Sequence, residues 1–325
     1  MNILKYVLLF LLLPLFALIT LMAGERFIPP AGILAALTGN APEPAGAIVM
    51  SLRLPRAAAA FLAGASLSVS GAVFQSVLRN PLADPYILGV SGGAALGAAA
   101  GIILAPAGFT PELLAFLGSI ISVFFVEMLS RRCGYGSPSL ILAGISMSFV
   151  ISSAVMLLFC FAKADDVHRA LMWLMGDLSM ARYSFLLPGF AACAFLTGVI
   201  FFNHKSCDII SFGRDFSIST GVSGAKLRLI FIAASLLAAV SVSVAGVIGF
   251  VGLIVPHVFR YIFGANHISL IPLSALGGGV FLMLCDALGR SAVSPYEIPA
   301  GVITCFCGGI FFLVYMIVIR RRDIL

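Results

Sequence analysis

Charge is what this chain has least of. Only 10% of its 325 residues are Asp, Glu, Lys or Arg, against 61% hydrophobic, and the mean hydropathy is +1.15. No water-soluble fold can cover that much apolar surface, so the composition excludes a soluble domain and predicts a polytopic membrane protein. The seven cysteines are scattered, and Cys160, Cys193, Cys285, Cys305 and Cys307 fall inside apolar runs, where a thiol serves as a small hydrophobe. Cys305-x-Cys307 has no further Cys or His at ligand spacing, which argues against a metal or redox centre. Catalytic signatures are missing as well: there is no Walker A sequence, no G-x-S-x-G and no H-E-x-x-H. Asp165-Asp166-x-His168 sits in a connection without a second ligand cluster. The chain therefore reads as a non-enzyme with no cofactor of its own.

What is present is a series of apolar runs. Segments able to cross about 30 Å of hydrocarbon fall at 3–23, 57–78, 87–104, 113–129, 140–162, 184–202, 229–248, 250–263, 270–288 and 301–319. The predicted fold is an all-α transmembrane bundle of about ten spans in a single domain, 1–325. The eighth run is short, holds Pro256, His257 and Arg260, and reads as a broken or partial span. The first is taken as a span, because it is longer than the apolar part of a leader and no A-x-A site follows.

The net charge of +6 is strewn among the spans rather than gathered on a basic face, which points to membrane topology and away from nucleic acid. With the N-terminus inside, the cytoplasmic segments collect twelve of the nineteen Lys and Arg, including Arg320 to Arg322, and leave seven outside. The positive-inside rule favours this orientation, with both termini cytoplasmic. The outer seven include Arg53, Arg56 and Arg290.

Two polar intervals stand apart. The stretch 203–228, on the inner side, is longer than a turn needs to be and is either a mobile surface loop or a set of short helices broken at Gly213, Gly221 and Gly224. The stretch 163–184, on the outer side, turns amphipathic after a polar start and is predicted to lie along the membrane surface as an interfacial helix. Gly89, Gly93, Gly97 and Gly101 recur every fourth residue, one face on which a neighbouring backbone can approach closely; Gly64, Ser68 and Gly71 do the same in the second span.

An ion-coupled secondary transporter should carry ionisable groups near the midplane. Glu127 and Asp286 instead lie near span ends, each four residues before an arginine. A membrane protein with a purely structural role is the third reading.

Several stretches, taken together and in order, resemble the FecCD-type permease subunits of ABC importers for iron-siderophores, haem and vitamin B12. They are RLPR (53–56), SGAVFQ (70–75), RNPLADPYILGVSGGA (79–94), LAGISM (142–147), WLMGDL (173–178), GVIGFVGLIVPHVFR (246–260) and DALGR with EIPAGVIT (286–304). One departure is Ile310, where the family commonly has proline. The resemblance implies a vitamin B12 permease-like fold, a homodimer in the bacterial inner membrane, and a path between the copies lined by spans three and five. It implies two cytoplasmic ATPase subunits that bind ATP and Mg, and a periplasmic or lipid-anchored binding protein outside. Arg53, Arg56 and Arg290 are then expected to dock the binding protein. Asn80 and Leu82 are expected to form a cytoplasmic gate with Ser137 and Pro138. Gly221, Val222, Ser223 and Gly224 are expected in the ATPase coupling loop. The expected activity is inward transport of a metal chelate by alternating access.

Overall fold

The computed structural model describes residues 3–104, 108–133, 137–179, 181–293 and 295–322, with side chains except at 3–12, 137, 214–215 and 318–322. The elements run α1 (Ile3–Met22), α2 (Pro30–Leu37), α3 (Ala45–Ala47), wider π-type turns at Ile48–Arg53, α4 (Leu54–Val77), a 3-10 turn at Pro85–Leu88, α5 (Val90–Leu104), α6 (Pro111–Arg132) and α7 (Ser137–Phe161). They continue α8 (Ala164–Leu174), α9 (Tyr183–Phe202), α10 (His204–Ser211), α11 (Arg214–Ser219), α12 (Gly224–Ala245), α13 (Val251–Phe263), α14 (His267–Ser291) and α15 (Ala300–Arg322). Every predicted span has its helix. Among the described residues, seven helices are long and apolar enough to cross a membrane, and Leu13–Met22, Val90–Leu104 and Val251–Phe263 are shorter apolar helical stretches.

The central post is α4. Its best apolar window is 89% buried within the chain, whereas those of α7, α9 and α15 are 28%, 17% and 22% buried and so present their sides to lipid or to another chain. The sequence explains this, because α4 is built of Ala, Ser and Gly, which let four helices close around it. A Cβ placed on Gly64 would lie 2.1 Å from the carbonyl oxygen of Gly278, and one on Gly278 would lie 2.3 Å from that of Gly64. The two backbones touch, and neither position accepts a side chain. The serines of α4 bond outward: Ser70 donates to the Ala234 carbonyl at 2.7 Å, while Ser241 of α12 donates to the Ala63 carbonyl at 3.1 Å.

The four-residue glycine stripe packs on α6 in the same manner. Added Cβ atoms on Gly93 and Gly97 would lie 2.3 Å and 2.0 Å from the carbonyl oxygens of Gly118 and Leu114. Thr110 caps α6 by accepting from the Leu113 amide at 3.3 Å, with Pro111 in the first turn.

The helix predicted along 163–184 ends at Leu174. Gly176 takes φ +79°, Asp177 closes an Asx turn on the Ser179 amide at 2.7 Å, and the chain folds inward. Between α12 and α13 the backbone opens over Gly246–Phe250, and Phe250 adopts φ +69°. This irregular stretch is buried in protein, the condition under which open backbone survives at such depth. The Ile248 amide donates to the Tyr86 hydroxyl at 3.2 Å, and Gly246 packs on the Trp173 carbonyl, 2.3 Å from where its Cβ would be.

Candidate functional site

Helices α4 and α14 are antiparallel, and a polar cluster joins them at each end. From Arg56 to Ser76 the helix climbs about 30 Å, the thickness of the hydrocarbon layer. At the arginine end, Asp286 accepts from Arg56 Nε at 2.8 Å and from Arg290 Nε at 3.0 Å. Arg56 also donates to the exposed Glu297 at 2.6 Å. The carbonyls left open at the C-terminus of α1 take up the remaining donors, as helix ends require. Arg53 donates to Leu21 at 2.7 Å and Met22 at 3.0 Å, and also to Arg26; Arg290 donates to Ala23 at 3.1 Å and Thr20 at 3.0 Å.

The three arginines expected as docking residues are therefore turned inward, with exposures of only 5% for Arg53, 8% for Arg56 and 5% for Arg290. Their edges line a cleft of about 290 Å³ with Arg26, Glu25 and Glu297. Four arginines face three carboxylates there once Asp286 is included, so the cleft keeps a positive balance.

At the opposite end α4 stops at Val77 and the chain reverses. Arg79 takes φ +51°, and Asn80 accepts from the Leu82 amide at 2.9 Å in an Asx turn. Leu82 is exposed. Asp84 then accepts from the Tyr86 amide at 2.8 Å and from the Phe250 amide, so a single carboxylate caps both the 3-10 turn and the start of α13. It lies half-buried in the connection between α4 and α5, and burial pushes its carboxyl up to about 6. Pro138, at the start of α7, is exposed, and the side chain of Ser137 lies outside the described residues. What α7 packs on the 79–88 segment is Gly144, against the Ile87 carbonyl.

The 203–228 interval is folded. Its α10 and α11 carry exposed Phe212, Phe216 and Ile218, with the two rings 5.6 Å apart. Gly221 takes φ +88° in open space, Val222 is buried, Ser223 caps α12 by accepting from the Lys226 amide at 3.3 Å, and Gly224 is exposed. Beside them lies a cavity of about 360 Å³ lined by Arg131, Ser217, Val222 and Arg228. Buried Glu127 pairs with Arg131 and, at 3.2 Å, with Arg228, fastening α6 to the first turn of α12.

Residues 11–319 match the FecCD transport family. The chain belongs to that family. It is 37% identical to the hemin transport system permease protein HmuU of Yersinia pestis, over 85% of this chain and 84% of that one. It is also 37% identical to the cobalamin import system permease protein BtuC of Halobacterium salinarum, over 89% and 78%. A solved metal-chelate type ABC transporter in an inward-facing conformation superposes with a TM-score of 0.82, at 30% identity, over 95% of this chain and 97% of that one. The chain is thus an ABC permease of the FecCD family, with the all-helical fold that the motifs implied.

Sequence reasoning did not single out Asp84, Phe212 or Phe216. The two phenylalanines carry a signal, since they are large apolar residues four apart in an otherwise polar loop. Asp84 carries none, because its second partner is in a segment some 160 residues away.

Proposed function

We propose that this chain is the membrane-spanning subunit of an ABC importer that moves a metal chelate inward by alternating access. Two copies form the path, two separate ATPase subunits bind and hydrolyse ATP with Mg at the loop end, and a binding protein delivers the chelate at the arginine end. The observation that carries this reading is the family match over nearly the whole chain, joined to a folded loop that offers aromatic side chains to water where a partner would seat. Hemin and cobalamin, named for the relatives, support a metal chelate as cargo, with haem, cobalamin and iron-siderophores as the candidates.

The positive side chains support the placement in the inner membrane. Arg79, Arg131, Arg228 and Arg260 lie at the loop end, and the twelve-to-seven division of Lys and Arg between the two sides supports a cytoplasmic loop end by the positive-inside rule. At the outer end the arginine cluster acts chiefly by fixing the ends of α1, α4 and α14 as a rigid rim, and its positive balance attracts acidic groups of the binding protein. The gate is assigned to the Asn80–Leu82 turn with the start of α7 at Ser137 and Pro138, and the coupling region to Gly221, Val222, Ser223 and Gly224.

The test is reconstitution. Proteoliposomes with the cognate ATPase and binding protein should accumulate one of haemin, cobalamin or a ferric siderophore only when ATP is present. Accumulation without the ATPase that follows an imposed ion gradient would make this a secondary transporter instead.

A further inference from the structure

A chain of three side chains links the coupling loop to the gate, and nothing in the function described so far uses it. Asp208 belongs to α10, His267 opens α14, and Ser76 lies on the last turn of α4. Asp208 Oδ1 accepts from the His267 amide at 2.9 Å and stands 2.6 Å from its ring Nδ1; His267 Nε2 stands 2.8 Å from Ser76 Oγ. His267 and Ser76 are buried, at 2% and 4% exposure, and Ser76 also reaches the Ala72 carbonyl at 3.1 Å.

We propose that His267 is a positioning residue for transport, passing movement of the 203–223 loop to the end of α4 that carries the gate. The proposal rests on reading that loop as the ATPase seat. Three observations carry it. First, Asp208 caps α14 from a different element, so α10 cannot shift without uncapping that helix or taking it along. Second, Ser76 is three residues before Arg79, where the backbone reverses into Asn80 and Leu82, so the far end of the relay sits on the hinge of the gate segment. Third, the loop touches the same hinge again: Gly213, at φ +120° between α10 and α11, packs on the Arg79 guanidinium, whose Nη1 is 3.1 Å from where a Cβ would be. Hydrogen bonds of this length are lost within about 1 Å of displacement, so the relay is either made or broken rather than stretched. Asp208 is held as an anion, whose Oδ1 accepts both bonds from His267. Burial pushes its carboxyl up, but the hydrogen bonds from His267 outweigh burial and leave it below the ordinary carboxylate range.

The experiment compares the reconstituted wild-type complex with His267→Ala, Asp208→Ala and Ser76→Ala. It measures ATP hydrolysis and cargo uptake in the same vesicles, with haemin, cobalamin and a ferric siderophore as probes. Ser76→Ala removes only a hydroxyl and so guards against a folding failure. A relay role predicts that hydrolysis stays near wild type while uptake per ATP falls about tenfold, the size of a typical coupling between sites. The Asp208→Ala, His267→Ala double variant should be no worse than either single one. Asp208→Asn, which keeps an oxygen to accept from His267, should recover much of the uptake. A merely structural role predicts that hydrolysis, assembly and uptake fall together, and that outcome, or unchanged uptake per ATP in all variants, overturns the proposal. A wild type that accumulates cargo without its ATPase overturns the importer reading and this proposal with it.

Discussion

Arg56 and Asp286 meet at 2.8 Å although 230 residues separate them, and both are more than nine-tenths buried. Asp286 also holds Arg290, so removing the one carboxylate leaves buried Arg290 without its anion and buried Arg56 with only the exposed Glu297. Breaking a buried pair in this way costs about 3–5 kcal/mol. Asp286→Ala should therefore lower the melting temperature of the detergent-solubilised protein sharply. Arg56→Met combined with Asp286→Leu should recover part of the loss. If Asp286→Ala melts like wild type, the cluster does not hold the bundle.

The contact between Gly64 and Gly278 gives a second prediction. Alanine at either position puts a methyl within 2.3 Å of a carbonyl oxygen on a helix that cannot retreat, since α4 is enclosed on all sides. Overpacking of this kind costs about 1–3 kcal/mol. Gly198→Ala, where nothing lies within 4 Å, should be silent in the same thermal assay.

The difference between these two features is also the difference between what the sequence discloses and what it hides. Runs of apolar residues located every span, and the spacing of Gly64, Ser68 and Gly71 marked α4 as closely packed, because helix packing repeats along one segment. The fate of Arg56 depends on Asp286 and Glu297, and that of His267 on Asp208 and Ser76, in elements far apart along the chain. No local pattern encodes such meetings. A cation beside an apolar run looks the same whether it faces water or a buried carboxylate, which is why Arg53, Arg56 and Arg290 read as rim charges from sequence. Helix α2 escaped notice because eight residues, Pro30–Leu37, are too few to show a period.

Asp84 predicts a pH dependence with a definite sign. Its folded-state value near 6 lies above the ordinary 3.8, so folding favours the protonated form. The stabilisation is complete below about pH 4 and is lost as pH rises through 6, by about 3 kcal/mol in total. Asp84→Asn keeps an oxygen for the Tyr86 and Phe250 amides without the charge. It should lack the fall in unfolding free energy that Asp84 causes in the wild type between pH 4 and 7, and should exceed the wild type at pH 7. Parallel pH profiles for the two proteins would place the titration elsewhere.

Phe212 and Phe216 test the seat of the ATPase. Phe212 is 74% exposed and Phe216 51%, so neither ring supports the fold, and replacing either by serine should leave the melting temperature unchanged. Aromatic residues that become buried at the centre of an interface commonly contribute about 2 kcal/mol or more each, roughly thirtyfold in affinity. Binding of the purified ATPase to the solubilised permease, measured with and without the substitutions, should weaken by that factor for each. Phe202, 85% exposed at the end of α9 just before the loop, serves as the control for a general loss of apolar surface, and Phe202→Ser should bind as wild type does. Equal affinity for wild type, Phe212→Ser and Phe216→Ser would move the seat away from α10 and α11, and the relay from Asp208 through His267 to Ser76 would then lose its source of movement.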